Sequence, residues 1–484
     1  MEDEGIFYYF EHTSSSHTMV LADSKSAYKK CPESEVVFLA GHLMENQLSS
    51  WSNQYSYTTS KHSLNDYNFE APSNKLDAAS DSVISLPGKD KENERYMYPG
   101  NYLEKKLGET RVKVRMESEE AGFHVINSGG TYRSFFASGT FTVKEHEYKS
   151  EEKKSYVITA ISHQASDDSY GAGGGGSSYQ NQFSCIPSDV VFRPGLRHQK
   201  PAVYGPQTAV VVGPKGEEIY TDKYGRVKIQ FHWDVVNKHD EKSSCWVRVA
   251  QTMVGKKWGA IFIPRIGQEV VVSFIDGDLD RPLITGCVYN AEFMPPYDLP
   301  ANKTQSGFKT RSSKSGDTKN FNELRFEDKK GGEEIYFHAE KDFNRHVEND
   351  DGLIIYKNRS KTIKEGNETI LLEKGNHSTT LKQGNHSTEL KKGDMSTKVV
   401  DGKITIEASK EIQLKVGGST ITIKPTSIEL KNGSNSVKID PSGVVTKGTT
   451  VKIAAQAMAE MKSPMTTVKG DGMLTLKGGV TMIN

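Results

Sequence analysis

Runs of alternating or continuous apolar residues, separated by turn residues, fill residues 1–165. The clearest runs read GIFYYFEH, EVVFLAGHL, TRVKVRM and GTFTVKEHEYK. Apolar alternation with a period of two is typical of half-buried strands, so this region is predicted to be rich in β-strands. One stretch, YLEKKLGETRVKVRMESEEAG, is compatible with either a helix or a strand. Because a strand is predicted almost at the first residue, we expect the polypeptide to begin inside a domain.

A second group of predicted strands lies between Val203 and Asn290. It contains the runs TAVVVG, GRVKIQFHWD, CWVRVAQ, GAIFIPRIG and EVVVSFIDGD. Five short strands in fewer than about one hundred residues predict a small closed barrel of the oligonucleotide/oligosaccharide-binding (OB) type. In the second run, Val227, Ile229, Phe231 and Trp233 are expected to share one face. Because Trp233 alternates with core positions, the pattern does not favour nucleic-acid binding, which uses exposed aromatic residues among basic ones.

Two segments between the predicted strands lack this periodicity. Gly171–Ser178, with the sequence GAGGGGSS, predicts a flexible loop, and no GK[ST] sequence follows it as a phosphate-binding loop would require. Residues 295–320 are rich in Pro, Ser, Thr and Lys and predict a connector. After the connector, NELRFEDKKGGEEIYFHAEKDF predicts a hairpin whose turn contains Gly331 and Gly332.

From Tyr356 onward the pattern changes to a unit of nine residues. The repeating glycines are Gly366, Gly375, Gly384, Gly393 and Gly402. Six residues after each glycine lie Leu372, Leu381, Leu390, Val399 and Ala408. Two residues before these lie Ile370, Thr379, Thr388, Thr397 and Ile406, and two earlier still lie Glu368, His377, His386, Met395 and Ile404. If each unit is a strand, the three columns share one face, because side chains alternate across a strand.

The repeat contains too little apolar surface to fold as a single chain. Ordering nine residues costs on the order of 13 kcal/mol, whereas burying one leucine returns roughly 1.5–3 kcal/mol. Repeats of this length become stable only against neighbours. We therefore predict a prism of three chains. The residues predicted to lie at the trimer axis are Ile370, Leu372, Thr379, Leu381, Thr388, Leu390 and Val399.

The repeat becomes less regular after Gly417. The runs ITIKPTSIELKNG and VKIDPSGVVTKG still predict strands and turns, and AAQAMAEM is one possible helical interruption. At about 4.8 Å between stacked strands, residues 356–484 would form a rod of about 65 Å.

Composition excludes some classes of protein and places the charge unevenly. Lys plus Arg equals Asp plus Glu, at 62 each, so net charge indicates neither a nucleic acid nor an acidic membrane as partner. Residues 356–484 carry 20 basic and 12 acidic residues, a net charge of +8. Such charge is typical of solvated ridges on a fibre, although attraction to an anionic envelope remains an alternative. The sequence shows no signal peptide and no stable membrane anchor.

The cysteines do not form a metal-binding or disulfide pattern. Cys31, Cys185, Cys245 and Cys287 are far apart in sequence and include no CxxC pair. This usage favours reduced thiols in a bacterial cytoplasm.

Candidate chemical motifs are incomplete. Asp276–Arg281, DGDLDR, begins like a calcium loop but lacks the glycine and glutamate that such a loop needs, so a turn between EVVVSFI and RPLITG is favoured. The histidines of HTSSSH and KEHEYK lack a third metal ligand and are expected to be surface residues. His377 and His386 are different, because a threefold axis would bring three copies of each together; whether such layers bind an ion is left open. No pattern of nucleophile and base or of paired carboxylates predicts an enzyme.

Several long stretches resemble one known family. PAVYGPQTAVVVGPKGEEIYTDKYGRVKIQFHWD and SSCWVRVAQTMVGKKWGAIFIPRIGQEVVVSFIDGDLDRPLITGCVYN closely resemble VgrG, the valine-glycine repeat spike protein of type VI secretion. The likeness continues through NELRFEDKKGGEEIYFHAEKDFNRHVEND and, more loosely, covers YPGNYLEKKLGE and EGIFYYFEH. The family is similar to hub and needle proteins of contractile phage tails.

The resemblance implies a mainly β protein with a split-barrel hub, a small OB barrel and a C-terminal trimeric β-prism. The expected domains are a shortened hub at 1–170, a flexible linker at 171–200, the barrel at 201–295, a connector and hairpin at 296–355 and the prism at 356–484. It also implies a homotrimer that meets a tail tube and baseplate and carries secreted effectors. A PAAR-type tip protein is expected on Gly478, Gly479, Met482 and Ile483, within the end that runs to Asn484.

Two functions follow as alternatives. The first is a structural spike that assembles in the bacterial cytoplasm, is injected by a contractile machine and punctures a target envelope. The second is a cell-wall hydrolase or adhesin that uses the fibre as a stalk. No cofactor, metal or catalytic residue is assigned under the first alternative.

Overall fold

The computed structural model describes residues 1–39, 46–84, 93–167 and 176–483 of the chain. It divides into two units, Met1–Asp351 and Gly352–Asn484. As predicted, the described residues are mainly β. Residues 171–175 of the predicted Gly-rich loop lie outside the described residues.

An N-terminal domain contains eleven of the described strands and one α-helix. Its strands before the helix are β1 Phe7–His12, β2 His17–Ala22, β3 Lys29–Phe38, β4 Leu48–Tyr55, β5 Lys61–Leu64, β6 Ala78–Asp81 and β7 Glu94–Met97. The helix is α1 Lys105–Ala121, and the strands after it are β8 His124–Gly130, β9 Gly139–His146, β10 Ser155–Asp167 and β11 Ser177–Pro187. A six-stranded sheet has the order β3-β9-β10-β11-β8-β4, a three-stranded sheet has the order β6-β5-β7, and β1 pairs with β2.

One buried cluster of this domain packs on a face of the six-stranded sheet. Val36, Ile126 and Val143 are completely buried, and Phe141 and Tyr156 pack against them with 1% exposure. In β9 the buried residues alternate with less buried ones, as the sequence pattern predicts. The runs GIFYYFEH and GTFTVKEHEYK are therefore confirmed as strands.

Of the two alternatives left open for YLEKKLGETRVKVRMESEEAG, the helix is confirmed, and TRVKVRM is not a strand because it lies inside α1. The buried face of α1 includes Gly108, Val112, Met116 and Glu120, which are spaced four residues apart. Such spacing places the four residues along one side of a helix. The valines of the run alternate, but the residues on either side extend the helical period and decide the outcome.

The second domain is a closed five-stranded barrel. Its elements are β12 Gln207–Val212, β13 Lys228–Phe231, β14 Arg248–Val249, β15 Val254–Gly255, β16 Trp258–Gly259, β17 Glu269–Phe274 and β18 Pro282–Val288. The sheet order is β13-β12-β17-β18-β14, and β14 runs parallel to β18. Val227 and Val247 then exchange backbone hydrogen bonds of 3.0 and 2.8 Å beside the two edge strands. This bridge closes the barrel with the strand order of an OB fold.

Two details of the predicted barrel are wrong. GAIFIPRIG does not supply a barrel strand, and RPLITG supplies β18 instead. Pro264 has no N–H to donate to a ladder, and the side chain of Gln251 makes both backbone hydrogen bonds to Phe262, at 2.9 and 3.0 Å. The expectation that Trp233 alternates with core positions is the second wrong detail. Trp233 lies beyond the end of β13 and is 62% exposed, and its ring stacks on Phe231.

A buried ion pair joins the N-terminal domain to the barrel. The Arg281 guanidinium donates to the Asp66 carboxylate at 2.7 Å, and the Asp66 side chain is fully buried. The backbone N–H groups of Tyr67 and Tyr102 also donate to Asp66, at 2.7 and 3.2 Å. Burial opposes ionisation of Asp66, but the hydrogen bond and charge of Arg281, together with the backbone donors, hold its pKa below the usual value.

The first unit ends with a three-stranded sheet. Its strands are β19 Gln305–Lys309, β20 Glu323–Glu327 and β21 Glu334–His338. The predicted hairpin is confirmed, since Phe326 pairs with Ile335 and Leu324 pairs with Phe337 around the Gly331 turn. The predicted connector at 295–320 also contains a strand, because β19 pairs with β20.

The second unit begins with an extended chain and continues into a sheet. Residues 352–411 pair with no other segment in a described ladder, and every one of them is exposed. A meander of consecutive antiparallel strands follows: β22 Ile412–Val416, β23 Ser419–Lys424, β24 Ser427–Asn432, β25 Asn435–Asp440 and β26 Gly443–Lys447. The strands predicted after Gly417 are thus confirmed. The possible helix at AAQAMAEM is wrong, because residues 454–461 contain no helical turn.

Candidate functional site

The nine-residue repeat presents a regular apolar column that a single chain leaves uncovered. Leu372, Leu381, Leu390 and Val399 are 46%, 48%, 49% and 45% exposed. Ile363, nine residues before Leu372, continues the column at 44% exposure. Ile363 is absent from the predicted axial residues, although its nine-residue spacing from Leu372 was the available signal. About half of each of these side chains is therefore exposed, at intervals of nine residues.

The other residues predicted for the axis are also exposed in the single chain. Ile370 is 66% exposed, and Thr379 and Thr388 are exposed beside the leucine column. The neighbouring Leu371 is 78% exposed. The chain itself therefore buries none of the predicted axial residues.

Glycines set the period of this segment. Gly375 and Gly384 have φ angles of +101° and +99°, and Gly366, Gly393 and Gly402 are also in the positive-φ region. Residues with a Cβ rarely adopt this conformation. No heavy atom lies within 4 Å of a Cβ built on Gly375 or Gly384, so conformation rather than crowding requires glycine there.

The meander β22–β26 presents a second uncovered apolar face. Across its register, one row of facing side chains is Ile412, Ile423, Ile428, Ile439 and Val444, and the adjacent row is Leu414, Ile421, Leu430, Val437 and Thr446. We call these ten residues the meander face. The central members Ile421, Ile428 and Leu430 are 39%, 39% and 44% exposed. Sequence analysis predicted the strands but assigned no role to this face, although its period-two alternation was visible.

The predicted tip-docking residues are exposed at the end of the chain. Met482 and Ile483 are 86% and 84% exposed, and Gly478 and Gly479 are exposed beside them. Asn484 lies outside the described residues.

The candidate metal residues are separated in the single chain. His377 Nε2 lies 3.5 Å from Thr379 Oγ1, and His386 Nε2 lies 3.4 Å from Thr388 Oγ1, so the two units repeat the same arrangement. Among the described residues, no group of three or more His, Cys, Asp or Glu side chains could hold a metal ion.

Two of the three carboxylates of DGDLDR pair with a cation of the protein. Asp278 and Asp280 each accept from Lys200 at 2.7 Å, and Arg281 pairs with Asp66. The loop connects β17 to β18, as the favoured prediction stated.

The other two histidine motifs have different environments. His12 and His17 face each other at the exposed end of the β1–β2 hairpin, with ring centroids 6.1 Å apart. The expectation that the KEHEYK histidine lies at the surface is wrong. His146 is 4% exposed and packs between Phe38 and Trp51, at centroid distances of 5.0 and 5.3 Å, because β9 turns it inward. Burial lowers its pKa.

Two of the four thiols are unsuited to nucleophilic chemistry. Cys31 and Cys185 are buried at 2% and 0% exposure, and burial raises the pKa of Cys31 to about 11. A thiol with a raised pKa is scarcely ionised at neutral pH, and the thiolate is the nucleophile. Cys245 and Cys287 are exposed. No helix among the described residues is long and apolar enough to cross a membrane.

Family models match three parts of the chain. A phage tail baseplate hub model matches residues 1–169, and a type VI secretion system/phage-baseplate injector OB domain model matches residues 208–289. The model of the bacteriophage T4 gp5 C-terminal trimerisation domain matches residues 306–423. The last match includes the uncovered leucine column and the first two strands of the meander.

Relatives with similar sequences are named as secretion spikes. The type VI secretion system spike proteins VgrG1b and VgrG1c of Pseudomonas aeruginosa are each 42% identical over 369 residues, which is 75% of this chain and 49% and 50% of theirs. The actin cross-linking toxin VgrG1 of Vibrio cholerae is 35% identical over 379 residues, which is 76% of this chain and 34% of the toxin. The chain spans about half the length of the curated Pseudomonas relatives.

Solved structures show a partial likeness. The E. coli c3393 protein, a component of the type VI secretion system, gives a TM-score of 0.37 at 16% identity, covering 59% of this chain and 58% of that chain. A chain of the half-lidded Francisella PdpA–VgrG complex gives a TM-score of 0.41 at 7% identity, covering 70% and 60%. These superpositions are partial, so the assignment rests on the sequence matches over three quarters of the chain. By those matches the chain belongs to the VgrG family of type VI secretion spike proteins.

Proposed function

We propose that this chain is the structural subunit of a homotrimeric spike in a type VI secretion machine. One observation supports the proposal above the others: residues 352–411 form no described ladder within the chain and leave apolar side chains half exposed at intervals of nine residues. A lone chain cannot offset the entropy of ordering such a segment. Two further copies would cover the column and pair the backbone.

The proposed trimer axis contains the predicted residues and Ile363. Leu372, Leu381, Leu390 and Val399 would form successive layers around it, with Ile370, Thr379 and Thr388 beside them. Rigidity then comes from continuous hydrogen-bonded ladders between chains, and strand edges are covered by neighbours. The matched trimerisation-domain model supports this arrangement. The function of such a spike is mechanical, since a stiff rod can transmit the force that drives it through an envelope.

The proposed partners follow the order of the domains. We propose that the N-terminal domain meets the tail tube and baseplate, because it matches a baseplate hub model. We propose that the exposed end, with Gly478, Gly479, Met482 and Ile483, seats a PAAR-type tip protein. Secreted effectors would travel on the spike. Assembly would take place in the bacterial cytoplasm and be followed by injection into the target.

We propose a non-enzymatic role for this chain. The match with the relative named for actin cross-linking covers 34% of that relative, so about two thirds of the relative lies outside the match. The matched part corresponds to domains whose models are named for hub, injector and trimerisation functions. None of the described features favours the hydrolase or adhesin alternative.

A secretion assay tests the proposal. Deletion of the gene in its native bacterium should abolish export of the tube protein and killing of competitor cells, and the wild-type gene should restore both. A gene carrying Leu381→Asp should fail to restore them, whereas one carrying Thr380→Asp, the neighbouring residue that would face outward in the proposed prism, should succeed. Normal export without the gene, or full rescue by Leu381→Asp, would contradict the proposed spike.

A further inference from the structure

The centre of the repeat specifies the alignment of three chains only weakly. The units GNHSTTLKQ at 375–383 and GNHSTELKK at 384–392 carry the same inward residues. Leu381 and Leu390 are 48% and 49% exposed, and their glycines have φ angles of +101° and +99°. In these two units, a chain that slipped by nine residues along its partners would therefore meet the same inward side chains in the same backbone conformation. The flanking units would still place Leu372 and Val399 in the leucine column, although their other inward residues differ. Strand register is weakly specified where the pattern repeats in this way.

The meander specifies the alignment more strongly than the repeat, because hydrogen bonds within one chain hold its strands in a fixed order. Its five strands are joined by short turns and pair only with their neighbours in sequence, from β22 to β26. Consecutive strands run in opposite directions. A slip by one strand would therefore place each strand against partners of reversed direction. A slip by two strands would leave four of the ten residues of the meander face without partners.

We propose that the meander β22–β26 sets the register of the trimer by docking its apolar face against two further copies of this chain. The inference rests on the proposed homotrimer. The occupant is identified by continuity along the chain: the match to the trimerisation domain runs from residue 306 to residue 423, so it includes β22 and nearly all of β23. The meander face carries nine apolar residues and one threonine, which suits an apolar interface between identical copies.

The roles of the two segments differ accordingly. The repeat supplies the length of the spike and contacts between chains, and these contacts allow one chain to slide along another. The meander meets its copies in only one alignment. Sliding would leave overhanging repeats at the end of a misaligned assembly, where they could recruit additional chains. A meander that fixes the alignment of the chains therefore prevents both overhanging repeats and open-ended growth by additional chains.

Disulfide trapping in the full chain tests the register. Cys245 and Cys287, the exposed thiols, are first replaced by serine, and Leu381→Cys and Leu390→Cys are placed in separate chains that are expressed together. Aligned chains bring identical positions together, whereas a nine-residue slip brings position 381 against position 390. A disulfide requires Cα atoms about 4.4–6.8 Å apart, so mass spectrometry of the crosslinked peptides reports the alignment.

Leu430→Asp then disrupts the centre of the meander face, and Lys431→Asp, on the opposite side of the same strand, is the matched control. We expect same-position disulfides to dominate in the parental and Lys431→Asp chains. In Leu430→Asp the mixed 381–390 disulfide should increase several-fold, and the assemblies should become larger and heterogeneous. Leu430→Ala, which shortens the side chain without adding charge, should give a smaller increase. If Leu430→Asp does not assemble, the mixed 381–390 disulfide in Leu430→Ala tests the register role instead.

The possible failures are distinguishable. If Leu430→Asp and Leu430→Ala both retain only same-position disulfides, the register role is wrong and the trimer stands. If the parental chain gives no disulfide at position 381 or 390 and sediments as a monomer, the proposed trimer itself is wrong.

Discussion

Leu381→Asp changes the centre of the proposed axial column. Leu381 is 48% exposed in the single chain, so partner chains can cover about half of its side chain. At roughly 1.5–3 kcal/mol for complete burial of a leucine, the loss is about 1 kcal/mol per chain. Each introduced carboxylate also loses several kcal/mol of solvation beside two like charges. The trimer should lose about 10 kcal/mol in all, which corresponds to about a 10⁷-fold weaker association.

Light scattering across a range of protein concentrations measures this loss. The wild-type chain and Thr380→Asp should remain trimeric at micromolar concentration, and Leu381→Asp should be monomeric. Because neighbouring carboxylates raise one another's pKa, acidification should partly restore association of Leu381→Asp. A trimer of unchanged affinity in Leu381→Asp at neutral pH would refute the axial placement of this column.

Three further predictions concern the first unit. Arg281→Met should cost about 3–5 kcal/mol of unfolding free energy in chemical denaturation, because it leaves the fully buried Asp66 carboxylate without its cation; an effect below about 1 kcal/mol would contradict the contact. The folded-state pKa of Asp66 lies below its unfolded value, so its contribution to the unfolding free energy should be complete above the unfolded pKa and disappear as the pH falls through the folded pKa. In Asp66→Asn, the unfolding free energy should therefore depend less on pH in this acidic range. With a thiol reagent, Cys245 and Cys287 should react in the native protein, and the two buried cysteines only after unfolding.

The parts of the fold that follow from local periodicity could be predicted from the sequence. The hairpin around Gly331 and the strands from β23 to β26 have strong alternation and turn residues on both sides, so the pattern was sufficient. The predicted strand TRVKVRM failed because its valines satisfy a strand period locally, whereas a longer stretch with Gly108 and Glu120 satisfies a helical one.

The barrel illustrates a different limit. Five strands and an OB shape were correct, but the choice between GAIFIPRIG and RPLITG depended on distant partners. Gln251 hydrogen-bonds Phe262 through its side chain, a contact that no local pattern indicates. The burial of His146 likewise depends on strands far apart in sequence, because Phe38 and Trp51 surround it.

The candidate site could largely be predicted from the sequence, because its residues recur every nine positions. The leucine column followed from the nine-residue spacing, and the structure adds Ile363 and the positive φ angles of the glycines. The meander face was not recognised because alternation predicts a strand but does not indicate whether another part of the chain covers it. Only the paired register showed ten residues on one face with no cover from their own sheet.

The mass of the assembled particle tests the central claim most directly. Native mass spectrometry or sedimentation equilibrium on the full chain at micromolar concentration should give three times the chain mass of 53.7 kDa. A particle of 53.7 kDa whose C-terminal repeat nevertheless melts cooperatively would contradict the claim that this segment needs two further copies to fold.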